Sequence, residues 1–156
     1  MKTIDIEIRF TDVDSQNHVN HIAIIEWIAH ARVKLIDDKL NQYEHFLWKD
    51  KSIDNKLEFD YVLVNLDISF IKEVFYPGII EVKAGVLSVG AKSLTTEFFV
   101  YSGDEMVVEA QCINVFFRTT TKNSSEILKG ISPVDIPNKL KDILTKEKNG
   151  NNRELN

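Results

Sequence analysis

At 156 residues, with 44% hydrophobic and 28% charged residues, nine Phe and two Trp, the chain has the composition of a globular protein and not of a disordered one. A net charge of −5, with no run of Lys or Arg longer than a pair, excludes the electrostatic footprint of nucleic-acid binding. The N-terminal MKTIDIEIRF has no apolar leader, no stretch reaches about 18 apolar residues, and the single cysteine, Cys112, allows no internal disulfide, so a soluble cytoplasmic protein is expected, off the membrane.

Such a length suits one domain, expected over residues 1–140, followed by a polar tail, 141–156, expected to be loose. From Thr3 to Phe10 the chain alternates, with Ile4, Ile6, Ile8 and Phe10 on one face and Thr3, Asp5, Glu7 and Arg9 on the other. This is the period of a half-buried strand. After a polar stretch, TDVDSQNHVNH, the period changes over Val19 to Leu40: Ile24, Trp27, Ile28, Ala31 and Leu35 recur at three- and four-residue steps. That spacing predicts an amphipathic helix whose other face carries Glu26, His30, Lys34 and Asp37, with Glu26 and His30 as an exposed pair. Asn17 or Asn20 can supply its N-cap oxygen.

Residues 41–55 show no clear period and read as a connection. The strand period returns from Leu57, but Leu57, Phe59, Tyr61 and Leu63 have one parity and Val64, Leu66, Ile68 and Phe70 the other. One extra residue, a β-bulge, produces that slip. Val74 to Gly78, VFYPG, reads as a turn in which Gly78 admits positive φ. Three β-rich runs follow, Ile79–Val89, Leu94–Tyr101 and Met106–Arg118, separated at Gly90 and at Ser102-Gly103-Asp104, as an antiparallel meander. Cys112 falls within the last run and reads as a buried, unreactive thiol. The order of strand, long helix and four strands is an α+β pattern, and the sheet's open edges predict a homo-oligomer.

The polar stretch holds Asp12, Asp14, Asn17, His18, Asn20 and His21 within eleven positions. Asp12 and Asp14 share a parity, yet they lie where strand gives way to helix and the backbone can turn between them. A helix opening near Val19 or Asn20 presents unpaired N–H groups and the positive end of its dipole beside Asp14. A carboxylate next to preorganised N–H donors suits hydrolysis of an activated acyl group. The donors hold the developing oxyanion, while the carboxylate attacks the carbonyl or takes a proton from water. His18 and His21 form an H-x-x-H, but the spacing straddles the helix start and no third ligand is specified, so no metal and no cofactor are expected.

RFTDVDSQNHVNHIAIIEWIAHARVKLI resembles the opening signature of the 4-hydroxybenzoyl-CoA thioesterase-like branch of the hotdog-fold acyl-CoA thioesterases, R-x-x-D-x-D-x-x-G-H-V-N-N followed by a helix ending in E-x-A-R. Arg9, Asp12, Asp14, His18, Val19, Asn20, Ala31 and Arg32 fall at matching positions. DISFIKEVFYPGIIEVKAGVLSVGAKSLTTEFFVY is similar to the family's central strands, and IPNKL to its closing segment. The resemblance implies a hotdog: a long central helix wrapped by a roughly five-stranded antiparallel sheet, two subunits pairing edge to edge, and an acyl-CoA substrate at their interface in a homodimer or homotetramer.

It also implies that Asp14 is the catalytic carboxylate. The backbone N–H of His21 or its neighbour would face the thioester oxygen, with His18, Val19 and Asn20 shaping the substrate site. The chain departs from the pattern at Asn17 for glycine, His21 for the second asparagine, Ile24 for tyrosine and Ala29 for the helix glutamate. The last of these throws the hydrolytic step onto Asp14 with His21. The alternatives are a hotdog that binds acyl thioesters or acts as a scaffold without hydrolysis, and a hotdog dehydratase or hydratase pairing Asp14 with a histidine.

Overall fold

The computed structural model describes residues 1–49, 59–118 and 132–151. In chain order these form β1 (Lys2–Glu7), a 3-10 turn (Phe10–Asp12), α1 (His21–Lys49), β2 (Phe59–Phe70), β3 (Ile79–Val89), β4 (Ser93–Ser102), β5 (Glu105–Arg118) and α2 (Asn138–Asn151). The strands make one antiparallel sheet in the order β1-β3-β4-β5-β2, so the meander forms its centre and β1 and β2 its edges.

The apolar stripe expected on α1 is its core face: Ile24, Trp27, Ile28, Ala31 and Leu35 are all buried, while Glu26, His30, Lys34 and Asp37 are exposed. Side chains of alternate residues on β3, β4 and β5 meet that stripe, among them Val82, Ala84, Phe98, Val100, Ala110 and Phe116. Each large apolar side chain removed from water here stabilises the fold by about 1.5–3 kcal/mol. The layering of a long helix on a five-stranded antiparallel sheet is the hotdog arrangement. No helix among the described residues is long and apolar enough to cross a membrane.

Several expectations change. The first strand ends at Glu7, and Phe10, expected on its apolar face, sits on the 3-10 turn with 77% of its surface exposed. α1 begins at His21 and continues through residues 41–49, which the missing period suggested as a connection. Ile36, Leu40, Tyr43 and Leu47 carry its apolar stripe onward at three- and four-residue steps, and all but Leu40 are buried. Polar Asn41, Gln42, Glu44 and His45 mask that spacing in the sequence. Residues 50–55 of the expected connection, and Leu57, lie outside the described residues.

β2 carries the predicted bulge. Its register against β5 shifts between Leu63 and Asn65, so Tyr61, Leu63, Leu66, Ile68 and Phe70 all lie opposite inward residues of β5 despite their change of parity. Val64, the inserted residue, is exposed. At the far end, Asn138–Asn151 is helical where a loose tail was expected from 141, because Leu140 and Leu144 fall four residues apart and bury against α1 and β3. Gly103 has φ +61° in the β4–β5 turn, as its place in Ser-Gly-Asp suggests; Gly78, in contrast, does not adopt positive φ. The chain turns there at Pro77, which follows a cis peptide bond.

Candidate active site

The polar stretch folds as two successive devices. In the first, Asp12 is drawn inward: its carboxylate is 3% exposed and accepts from the Arg9 backbone N–H at 2.8 Å and from Arg9 Nη2 at 2.7 Å. Hydrogen bonding from the Arg9 guanidinium holds the Asp12 carboxyl below the usual carboxylate range, against the opposing cost of burial. Arg9 also reaches Glu26 at 3.4 Å, so Glu26 pairs there and not with His30. The Asp12 carbonyl then accepts the Asn20 N–H at 2.7 Å, which ties the 3-10 turn to the start of α1.

The second device is a closed turn from Asp14 to His18. The Asp14 N–H donates to the His18 carbonyl at 2.9 Å, while Asp14 Oδ1 accepts the backbone N–H groups of Gln16 at 2.8 Å and His18 at 3.1 Å. Asn17 reverses the chain inside this turn with φ 64°, a left-handed conformation that asparagine adopts more readily than most side chains. This accounts for asparagine where the family pattern has glycine. Asn17 also donates through Nδ2 to the Tyr76 carbonyl at 2.7 Å.

A short antiparallel contact continues from that bond. The Val19 N–H donates to the Val74 carbonyl at 2.8 Å, and His18 bridges Phe75. Residues 17–19 are thereby laid along 74–76. Asn20 is the N-cap, since its Oδ1 accepts the Ile22 N–H at 2.9 Å. With the Asn20 N–H given to Asp12, the His21 N–H is left with no acceptor among the described residues.

All five residues expected in the site line one cleft of about 510 Å³: Asp14, His18, Val19, Asn20 and His21, joined by Ile24 and by Phe70 to Val74. The two histidines have different surroundings. The His21 ring stacks on Phe70 with centroids 4.4 Å apart and 29° between planes. His18 lies edge-on to Phe75 at 4.7 Å, with Nδ1 3.3 Å from Glu73 Oε1. Asp12 stays out of the cleft, so the shared parity of the two aspartates does not carry through the turn. Ala29 is not among the lining residues either.

Sequence reasoning missed the segment Phe70 to Val74. Its one local signal is the charged pair Lys72-Glu73 between Ile71 and Val74, an interruption at the end of an apolar strand. Lys72 Nζ is held by Glu105 at 2.7 Å, which leaves Glu73 as the acidic group turned to His18.

The family model described as the thioesterase-like superfamily matches residues 8–144. No curated protein matches the chain. Among solved structures, a DHNA-CoA thioesterase from Staphylococcus aureus is 17% identical with a TM-score of 0.70, over 97% of this chain and 93% of that one. A thioesterase from Thermus thermophilus, complexed with coenzyme A and Zn, is 15% identical with a TM-score of 0.68, over 94% of each chain. At these identities the structural likeness speaks for the fold. The match of the family model along nearly all of the described core is what identifies the chain: it belongs to the thioesterase-like superfamily.

Proposed function

We propose that the cleft hydrolyses an acyl-CoA thioester to a free acid and CoA, with Asp14 as nucleophile or general base. One observation carries this reading: Asp14, oriented by two backbone N–H donors, lines the same cleft as the opening of α1, where the His21 N–H has no acceptor among the described residues. A thioester oxygen that gains charge beside that N–H is stabilised by the donor and by the positive end of the helix dipole. His21 is catalytic in this reading through its backbone donor and its place on Phe70. His18, Val19 and Asn20 shape the substrate site.

Membership of the thioesterase-like superfamily supports the reaction class, and CoA in the Thermus thermophilus structure supports the choice of thiol. The substrate is an acyl-CoA and the working form a homodimer or homotetramer. Exposed Ile22, Ile25 and Val33 on α1, with Val64 and Phe70 on the edge strand β2, support such an assembly, since a second copy would cover them.

The test is thiol release over a panel of short, long and aryl CoA esters. Asp14→Asn is expected to lower the rate at least about tenfold while the variant keeps its fold and assembly. Full activity in that variant removes Asp14 from the reaction. A second reading, a hotdog that binds acyl thioesters without hydrolysis, draws on Ala29, which brings no carboxylate to the helix; binding without thiol release would favour it.

A further inference from the structure

We propose that His18 and Glu73 form an imidazole–carboxylate pair that deprotonates the hydrolytic water, leaving Asp14 Oδ2 as the nucleophile; this rests on the thioester reading above. Glu73 Oε1 lies 3.3 Å from His18 Nδ1, and both side chains line the cleft that contains Asp14. The contact spans 55 positions of sequence, and backbone pairing sets it. Val19 donates to Val74, His18 bridges Phe75, and Asn17 is bound to Tyr76, so the residue before Val74 is brought to the side of the His18 ring.

The imidazole is fixed from three directions. The His18 backbone N–H and carbonyl both bond to Asp14, the ring stands nearly perpendicular to that of Phe75 with centroids 4.7 Å apart, and Glu73 Oε1 stands at Nδ1. A carboxylate at Nδ1 holds a proton on that nitrogen and leaves the lone pair on Nε2, the tautomer a general base requires. Glu73 acts through His18 and is a positioning residue.

Asp14 and His18 then take separate tasks. Asp14 Oδ1 is occupied by the N–H groups of Gln16 and His18, and no hydrogen bond from the described residues reaches Oδ2. When Oδ2 bonds to the thioester carbonyl carbon, the C–S bond breaks, and the sulfur leaves with the electron pair and takes a proton from solvent. A carboxylate bonded to the acyl carbon has no charge left to deprotonate water. Water therefore attacks that carbon while its proton passes to His18 Nε2. The bond between the acyl carbon and Asp14 breaks, the carboxylate is restored, and the imidazolium returns its proton to solvent.

The test separates the two halves. Wild type, Glu73→Gln, Glu73→Asp, His18→Gln and Asp14→Asn are mixed rapidly with octanoyl-CoA or benzoyl-CoA, and thiol is followed through the first turnover and into the steady state. Glu73 is 66% exposed, so its replacement leaves the core intact. Glu73→Gln is expected to release one thiol per site as fast as wild type and then to turn over about 10- to 100-fold more slowly, and His18→Gln to lower the steady rate by more than it lowers the first-turnover rate. Glu73→Asp recovers part of the steady rate, and Asp14→Asn loses both phases. First-turnover and steady rates falling together in Glu73→Gln, or a steady rate within about twofold of wild type, overturns the division of tasks. No thiol release by wild type from any ester of the short, long and aryl panel sinks the thioesterase reading and this pair with it.

Discussion

Asn17 carries the reversal of the Asp14–His18 turn at φ 64° and fastens it by donating from Nδ2 to the Tyr76 carbonyl at 2.7 Å. The residue therefore serves backbone and cross-chain contact together. Asn17→Ala is expected to lose both, costing about 1–3 kcal/mol from left-handed strain and the missing hydrogen bond. Asn17→Gly loses only the bond and costs less. Urea unfolding of the two variants checks the order; equal stability in Ala and Gly would contradict it.

The buried carboxylate of Asp12 makes stability depend on acid. Its folded pKa lies below the unfolded value, chiefly through hydrogen bonding from Arg9. Its contribution is thus complete above the unfolded value, near pH 4, and is lost as pH falls through the lower folded value. Asp12→Asn is expected to cost about 1–3 kcal/mol at pH 7 and to flatten the loss of stability below about pH 4. Unfolding midpoints at pH 7, 5 and 3 decide; parallel decline of wild type and variant would refute the assignment.

Burial pushes the Cys112 thiol up to about 11. At pH 8 about one molecule in a thousand then carries the thiolate, and the buried sulfur is also screened from reagent. Native protein should show no fast reaction with a chromogenic thiol reagent, and one equivalent should react on unfolding in urea. The same property keeps the background low when released CoA is measured. One rapid equivalent in the native state would place the thiol elsewhere.

Val64 is the bulged residue of edge strand β2 and is 56% exposed. If a second copy covers this edge, Val64→Lys sets two lysines against an apolar contact and shifts the protein toward a single 17.9 kDa chain. Sedimentation velocity reads the change. A variant that keeps the wild-type mass shows that assembly uses another surface.

Much of the fold was legible locally. The stripe of Ile24, Trp27, Ile28, Ala31 and Leu35 repeats every turn, and the parity slip of β2 records its bulge, because each pattern arises from which neighbours a residue shares within one element. All five expected site residues meet in one cleft for the same reason: they occupy a single short turn ahead of a helix. The helical course of residues 41–49 was obscured by polar residues that crowd the exposed face of α1.

Other features depend on what the folded chain brings from far away. Arg9 holds the Asp12 carboxylate and the N–H groups of Gln16 and His18 hold that of Asp14, all within four residues, but only the pairing of 17–19 with 74–76 sets the Asp14 turn against the segment that forms the other wall of the cleft. The placing of Glu73 beside His18 belongs to the same class. Periodicity records each element's own face toward the core, whereas contacts between distant segments exist only once the backbone hydrogen bonds that align them have formed.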